Sequence, residues 1–293
     1  VLTLLFTTLM VAVATELIHQ VYVDTTMSRG FRDGQQASLM AESGVSGGVN
    51  LLRKKLAGQE YSTLLPPLKQ EDETGTIEIT ATEESGKINL NDLVSPRDAV
   101  NPAIENQLKL LGKRLKISDG LWEALADWLD SDDLPRSNGA ESSYYQAQKP
   151  SYTPRNARMA TLAELSLVKG FTPEMVARLT PFVTVYPIRF GAPQSLININ
   201  TAPMEVIAAL SARMDDSMAA RIVEERQRMP FKTLGELSRI PGGAAISPEI
   251  ASGATCKGTI FRVTSLARVK DSVRVVEAVV TLSDGEILTW QEY

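Results

Sequence analysis

The feature that most constrains this chain is its first stretch, an apolar run that passes without a breaker into an amphipathic helical pattern. Residues 1–14 (VLTLLFTTLMVAVA) are apolar apart from three threonines, whose hydroxyls can bond back to helix carbonyls. At ~1.5 Å per residue the run spans about 21 Å, short of the ~30 Å hydrocarbon core of a bilayer. It fits the apolar region of a signal peptide, a buried core helix, or a membrane anchor that runs on toward Val23. A basic n-region and a small-residue cleavage site are missing, which favours an anchor whose helix continues into water.

From Thr15 the pattern stays helical, with an irregularity expected over residues 30–34 at Gly30 and Gly34. Ala37, Ala41, Gly44, Gly48, Leu51, Leu52 and Leu56 recur at three- and four-residue steps. Such a stripe lets another backbone approach closely. Glu42, Arg53 and Lys54 place it in water, so packing on a sheet is expected, not helix pairing in lipid. The helix should end by Gly58, ahead of Pro66-Pro67.

Residues 76–82 (TIEITAT) alternate and predict a strand, 83–86 a turn and 87–90 a short second strand. Helical spacing then takes over at residues 103–115 and 121–129, with Asp119 as N-cap of the second helix. Trp122, Leu125, Trp128 and Leu129 form one apolar face that belongs in a core. Residues 141–156 are polar and Tyr-rich, an extended loop wrapping the acidic turn before it. Thr161 and Glu164 form a capping box opening a helix to about Gly170, and another helix starts at Thr172. Residues 182–188, bounded by prolines, suggest an extended edge segment. In a second unit, Asn200 or Thr201 should cap a helix over 203–210, followed by helices over 218–228 and 233–240. Residues 259–269, 273–282 and 286–290 are strands, joined by turns at 270–272 and 283–285, the latter an Asp-Gly hairpin signal.

Strands therefore flank a helical block. The expectation is one α+β domain, a long N-terminal helix on an antiparallel sheet, with a large all-α domain inserted between its second and third strands. The boundaries are 1–23 for the anchoring part of the helix, 24–90 for the first part of the helix-and-sheet domain, 91–258 for the insertion and 259–293 for the returning strands.

The chemistry-bearing stretch is Asp127 to Tyr145, DWLDSDDLPRSNGAESSYY. Asp127, Asp130, Asp132, Asp133 and Glu141 fall within it, with only Arg136 of opposite sign. Crowded carboxylates repel unless a cation sits among them, and oxygen donors without His or Cys suit a hard ion. With Asp130 at position 1 of a calcium-binding EF-hand loop, Asp132 stands at 3 and Glu141 at 12, but Leu134 and Pro135 replace the donor and glycine expected next. On composition alone, a solvated acidic helix end followed by a turn fits equally. The loop starts where a packed helix ends, and a helix C-terminus favours a cation.

Composition narrows the classes. A net charge of −5 and a pI near 5.2 argue against a general nucleic-acid binder. His19 and Cys256 are the only residues of their kinds, which removes zinc sites, His-based catalysis and an intrachain disulfide. No Walker A, G-x-G-x-x-G or G-x-S-x-G pattern occurs. A two-carboxylate glycosidase would need fewer, better-separated acids.

Two resemblances follow from the motifs. The phrase I-N-I-N-T-A from Ile197, with I-V-E-E-R, P-F-K-T-L-G-E-L and I-P-G after it, resembles helix-hairpin-helix (SAM-like) domains, and Ile88-Asn-Leu-Asn-Asp92 faintly echoes its opening. DNA-binding members present a glycine hairpin to a phosphate; here residues 211–217 hold Asp215 and Asp216 and no glycine, so DNA binding or uptake is the lesser alternative. An apolar head on a long amphipathic helix is the type IV pilin plan. The run D-W-L-D-S-D-D-L-P-R-S-N-G-A-E-S-S-Y-Y, with Leu162-Ala-Glu-Leu and Val168-Lys-Gly, resembles the K-type minor pseudopilins of type II secretion systems.

That resemblance implies a type IV pilin-like fold with a helical insertion, no catalysis, and one or two calcium ions held by Asp130, Asp132 and Glu141 with Asp127 and Asp133 in reserve. It implies a single-pass subunit of the bacterial inner membrane with its globular part in the periplasm. It would sit at the pseudopilus tip with I- and J-type minor pseudopilins, on the major pseudopilin filament, priming assembly for protein export. Pilins commonly carry a Glu at the fifth mature position; the first acid here is Glu16, as expected of a subunit with none ahead of it. A minor pilin of a type IV pilus is the other filament alternative.

Overall fold

One unbroken helix, α1 (Leu2–Leu56), carries the N-terminal pattern from end to end. A computed structural model of the chain describes residues 1–186, 195–283 and 285–293. The irregularity expected at residues 30–34 is absent: Gly30 and Gly34 are helical, because the ladder of backbone hydrogen bonds continues on both sides. Two of the three threonines bond back as expected, Thr7 Oγ1 to Leu4 O at 3.0 Å and Thr8 Oγ1 to Leu4 O at 2.9 Å. Residues 1–32 are exposed on every side, and this end of α1 is long and apolar enough to cross a membrane. Burial begins at Asp33, whose carboxylate meets Lys270 Nζ at 2.8 Å.

After α1 come β1 (Leu68–Glu71) and β2 (Thr76–Glu83), then β3 (Ile88–Asn89), α2 (Pro102–Leu115), α3 (Gly120–Leu129), α4 (Ser142–Gln146), α5 (Pro173–Leu179) and β4 (Val183–Thr184). They are followed by β5 (Ile197–Asn198), α6 (Met204–Ala209), α7 (Asp216–Arg228), α8 (Gly243–Ile250), β6 (Ala254–Thr255), β7 (Ile260–Val269), β8 (Ser272–Thr281) and β9 (Ile287–Glu292). An antiparallel sheet of order β1-β2-β7-β8-β9 packs its inner face on the second half of α1. The fold is α+β, with a helical domain entering between β2 and β7.

Period-two alternation aims Ile77, Ile79 and Ala81 of β2 and Phe261, Val263, Ser265 and Ala267 of β7 at the helix. On α1, Ala37, Ala41, Gly44, Gly48, Leu52 and Leu56 are buried against them. Leu51, included in the expected stripe, is half exposed and lies outside the buried set. A Cβ on Gly44 would stand 2.1 Å from Ser265 Oγ, so the helix axis can approach this closely only over glycine.

Several local expectations are corrected. Strand β1, polar after Leu68 and exposed along its length, carries no period-two signal. Ile88–Asn89, expected as the second strand of the sheet, instead pairs in parallel with β4 inside the helical domain. Asp119 sits at the N-cap of α3, yet its side chain makes no capping bond among the described residues. Pro203, not Asn200 or Thr201, occupies the N-cap of α6. The segments opened by Thr161 and Thr233 are 3-10 helices, the first carrying the capping box. Helix α8 begins at Gly243, beyond the last helix expected at 233–240, because Gly242 supplies the left-handed turn with φ 82°. The edge segment over 182–188 and the Asp-Gly turn fall in part on residues outside those described.

The faint echo of Ile88-Asn-Leu-Asn in Ile197-Asn-Ile-Asn is a structural duplication. Asn91 Nδ2 donates to Met159 O and Val185 O while its Oδ1 accepts from Met159 N. Asn200 repeats this with Phe231 O, Cys256 O and Phe231 N. In each unit a two-residue parallel strand pair closes the ring, β3 with β4 and β5 with β6. The insertion is therefore two copies of one helical unit, with small strand pairs where an all-α domain was expected.

The seam between insertion and sheet is polar. Glu83, at the end of β2, accepts from Ser62 Oγ at 2.7 Å and Asn198 Nδ2 at 2.8 Å, and Gly258 leaves it room. Burial pushes its carboxyl up to about 7, against the hydrogen bonds from Asn198 and Ser62. Folded protein thus keeps a proton that unfolded chain has lost, and this contribution is full at acid pH and lost as pH rises through about 7. Stability should fall by on the order of 2–3 kcal/mol between pH 5 and 8 on this account, and Glu83→Gln should flatten that part of the slope. Denaturant melts across that range test it; an unchanged slope in the variant would refute the assignment.

Candidate metal centre

The acidic turn is built between two helix ends. Helix α3 buries Trp122, Leu125, Trp128 and Leu129, all within 6 % exposure, so its C-terminus is held rigidly. Asp130 is its C-cap, with its N–H on Ala126 O at 3.0 Å, and it is fully buried. Glu141 is the N-cap residue of α4 and is 2 % exposed. The Tyr-rich segment is only partly the extended loop expected. It starts with α4, and Tyr145 is buried edge-on against Trp128 at 5.2 Å between centroids. Its far end returns to α3, Asn156 N–H donating to Trp128 O and Asn156 Nδ2 to Asp132 O.

Asp130, Asp132 and Glu141 converge, one carboxylate oxygen from each lying within 4.8 Å of the others. Asp132 is exposed while the other two are buried, so the cluster opens to solvent on one side. Both oxygens of Glu141 and Oδ1 of Asp130 are buried without a hydrogen-bond partner among the described residues. Buried polar atoms are nearly always satisfied, and unsatisfied carboxylate oxygens facing each other are costly. Burial, then the charges of Asp127 and Asp130, push the Glu141 carboxyl up to about 8. Burial also raises that of Asp130, against the pull of Arg136. An all-oxygen donor set of this kind fits a hard divalent cation.

The structure turns the two remaining acids elsewhere. Asp127 accepts the Arg136 N–H at 3.1 Å on Oδ2 and the Arg136 guanidinium on Oδ1. Asp133 Oδ1 accepts the Ser142 N–H at 3.0 Å, tying the loop to the start of α4. In the sequence Arg136 stands only as the lone opposite charge, and nothing there sets Gly139 against Asp127. A Cβ there would lie 1.7 Å from Asp127 Oδ2, so the chain passes Asp127 only as glycine. The Asn138-Gly139 pair was the available signal. At the other candidate site, Asp215 caps α7 through Met218 N–H at 2.7 Å, and Asp216 pairs with Arg114 at 3.1 Å. Carboxylates therefore hold the place where a phosphate would approach.

Two family models described as type II secretion system (T2SS) protein K match residues 86–188 and 197–255, together more than half of the chain. The chain belongs to the type II secretion system protein K family. The two matched spans coincide with the two copies of the helical unit, and the acidic turn lies in the first. Protein K of Pseudomonas aeruginosa is 32 % identical over 186 residues, covering 62 % of this chain and 54 % of that protein. Thus the chain matches about half the length of that relative. Protein K of Pectobacterium carotovorum is 28 % identical over 254 residues, covering 78 % and 73 %. The fold is also that of a chain in the crystal structure of the GspK-GspI-GspJ complex of enterotoxigenic Escherichia coli. That match has a TM-score of 0.77 and 20 % identity, over 91 % of this chain and 99 % of that one.

Gly139→Ala should destabilise the protein by about 3 kcal/mol, because Asp127 must leave its buried pairing or the loop must shift. Gly47→Ala on α1, where a Cβ would meet nothing within 4 Å, serves as control and should not destabilise. Thermal melts of both variants decide it; a Gly139→Ala protein melting with wild type would contradict the loop geometry.

Proposed function

We propose that the chain is a minor pseudopilin at the tip of a type II secretion pseudopilus. There it initiates filament assembly and supports protein export across the outer membrane, without catalysis of its own. The carrying observation is the division of α1: residues 1–32 project exposed and apolar, and only the second half is sheathed by the sheet. A half-bare helix suits insertion first in a membrane and then among the helices of a filament. The apolar part anchors the chain in the bacterial inner membrane, a single pass with the globular part in the periplasm. Its bare face, including Leu17 and Val21, meets neighbouring subunits and the major pseudopilin filament.

The placement of the insertion supports the tip. Gly44 faces Ser265, Gly48 faces Val263, and Asp33 pairs with Lys270. Residues 260 and 83, where the insertion leaves the sheet, are therefore at the end of α1 remote from its apolar half. A domain overhanging that end would block a further subunit from stacking above. The partners supported by the protein K relationship are I- and J-type minor pseudopilins, since GspI and GspJ share a complex with the E. coli chain of the same fold. Co-purification of the detergent-solubilised chain with I- and J-type partners should give a one-to-one-to-one complex weakened by Val21→Asp. Long homopolymers of the chain alone would contradict the tip reading.

The acidic turn we assign to one calcium ion held by Asp130, Asp132 and Glu141, which would neutralise the cluster and fix the α3–α4 connection. At a hundredfold excess over Kd, binding to the folded state stabilises it by about 2.7 kcal/mol. A chelator should lower the melting temperature of the full chain in detergent, and Glu141→Ala should abolish that response. A melting curve indifferent to chelator would sink the assignment.

A further inference from the structure

Asp130 is divided between two directions. Its Oδ2 meets the Arg136 guanidinium, its Oδ1 is buried without a partner among the described residues, and one of its oxygens joins the Asp132–Glu141 cluster. Arg136 is itself fixed from behind. Its backbone N–H and its guanidinium both go to Asp127, which is fully buried and against which Gly139 closes. Of the carboxylates in the turn, those of Asp127 and Asp130 share this one guanidinium. Glu141, 2 % exposed with both oxygens unpartnered, has no such cation among the described residues.

We infer that Arg136 is the resident counter-charge of the ion-free turn. It keeps the loop closed when no divalent cation is bound and, by staying beside Asp130, limits the affinity so that the ion exchanges. This rests on the assignment of the turn as a divalent-cation site. Two effects oppose one another when Arg136 is neutralised. A positive charge next to the ion disappears, which strengthens binding, and the hold on Asp130 is lost, which weakens it. The first should win, because Asp130 is also fixed as the C-cap of α3 and by its burial. In the ion-free state there is no such compensation, since Asp127 and Asp130 would then be buried carboxylates without a cation.

The experiment is calorimetric titration of calcium chloride into the detergent-solubilised full chain, paired with melts in chelator and in calcium, for wild type and Arg136→Gln. Expected is calcium binding on the order of tenfold tighter in the variant. The chelated form should lose several degrees of melting temperature, and the loaded form little. Weaker binding in the variant would overturn the inference by making Arg136 a residue that positions Asp130 for the ion. Equal loss of melting temperature in both forms, with Kd unchanged, would overturn it by reducing Arg136 to a structural partner of Asp127. Absence of calcium binding by wild type would fell the site assignment itself, and the inference with it. Should Arg136→Gln not fold, Asp127→Asn with Arg136→Gln removes the pair together, and the same tightening is required of it.

Discussion

The approach of α1 to the sheet at Gly44 and Gly48 is the contact on which the rest of the molecule depends. At these positions a Cβ would meet Ser265 Oγ at 2.1 Å or Ile79 Cγ2 at 2.9 Å. Glycine costs helix stability of about 1 kcal/mol each, so two of them mid-helix make sense only if close packing returns more. What it returns is a single helix–sheet core to which Ala41, Val45, Leu52, Phe261, Val263, Val276 and Ala278 all belong. That core fixes the rotation of α1 about its axis, and hence which residues of its exposed half face outward. It also fixes the sheet end from which the insertion departs.

Much of this was legible because period is a physical signal. Alternation in residues 76–82 and 259–282 and the three-to-four step of Ala37 to Leu56 each reflect one buried face, and the elements followed. The failures have causes of the same kind. Strand β1 buries neither face, so nothing in Leu68–Glu71 alternates. Leu51 kept the helical step but stands at the margin of the packed face, half exposed beside Leu68 and Ile79. Residues 87–90 looked like a strand of the main sheet because a two-residue bridge and a sheet strand carry the same apolar residues, Ile88 and Leu90. The choice between them is tertiary.

At the site, the offsets in the sequence already set Asp130, Asp132 and Glu141 ahead of Asp127 and Asp133, and the same three converge. What was not legible is the work of the other two, because a carboxylate that ties down a distant backbone N–H or a guanidinium looks the same in sequence as one that joins a cluster. Asp133 and Asp132 are adjacent, yet Asp133 ties down Ser142 while Asp132 joins the cluster. Glu83 is the instructive miss. It continues the inward parity of Ile77, Ile79 and Ala81, so alternation alone places its carboxyl inside, although a Glu-Glu-Ser-Gly run resembles a turn. Strand register overrode turn composition there.

The two buried acidic features are related through the architecture. An insertion of two copies of one unit enters between β2 and β7, and these neighbouring strands supply its only chain connections to the helix-and-sheet body. Glu83 links the second copy to that body through Asn198, the residue after Ile197 in the repeated Ile-Asn phrase. In the first copy Asn89 takes the matching place, but its side chain donates to Ser195 Oγ and Tyr186 O, inside the insertion. The duplication has thus been used asymmetrically. The second copy is hydrogen-bonded to the pilin-like body through Asn198, while the first, which meets that body where Arg262 lies over the Tyr186 ring, carries the acidic turn and the aromatic packing of Trp128 and Tyr145. A cation at the turn would therefore stiffen the first copy by joining α3 to α4, and the proton on Glu83 would govern the seam of the second. Because Glu83 and the acidic turn have separate partner sets, the ion and the Glu83 proton should act on stability nearly additively, whereas ion and pH are coupled at Glu141, whose carboxyl is pushed up to about 8.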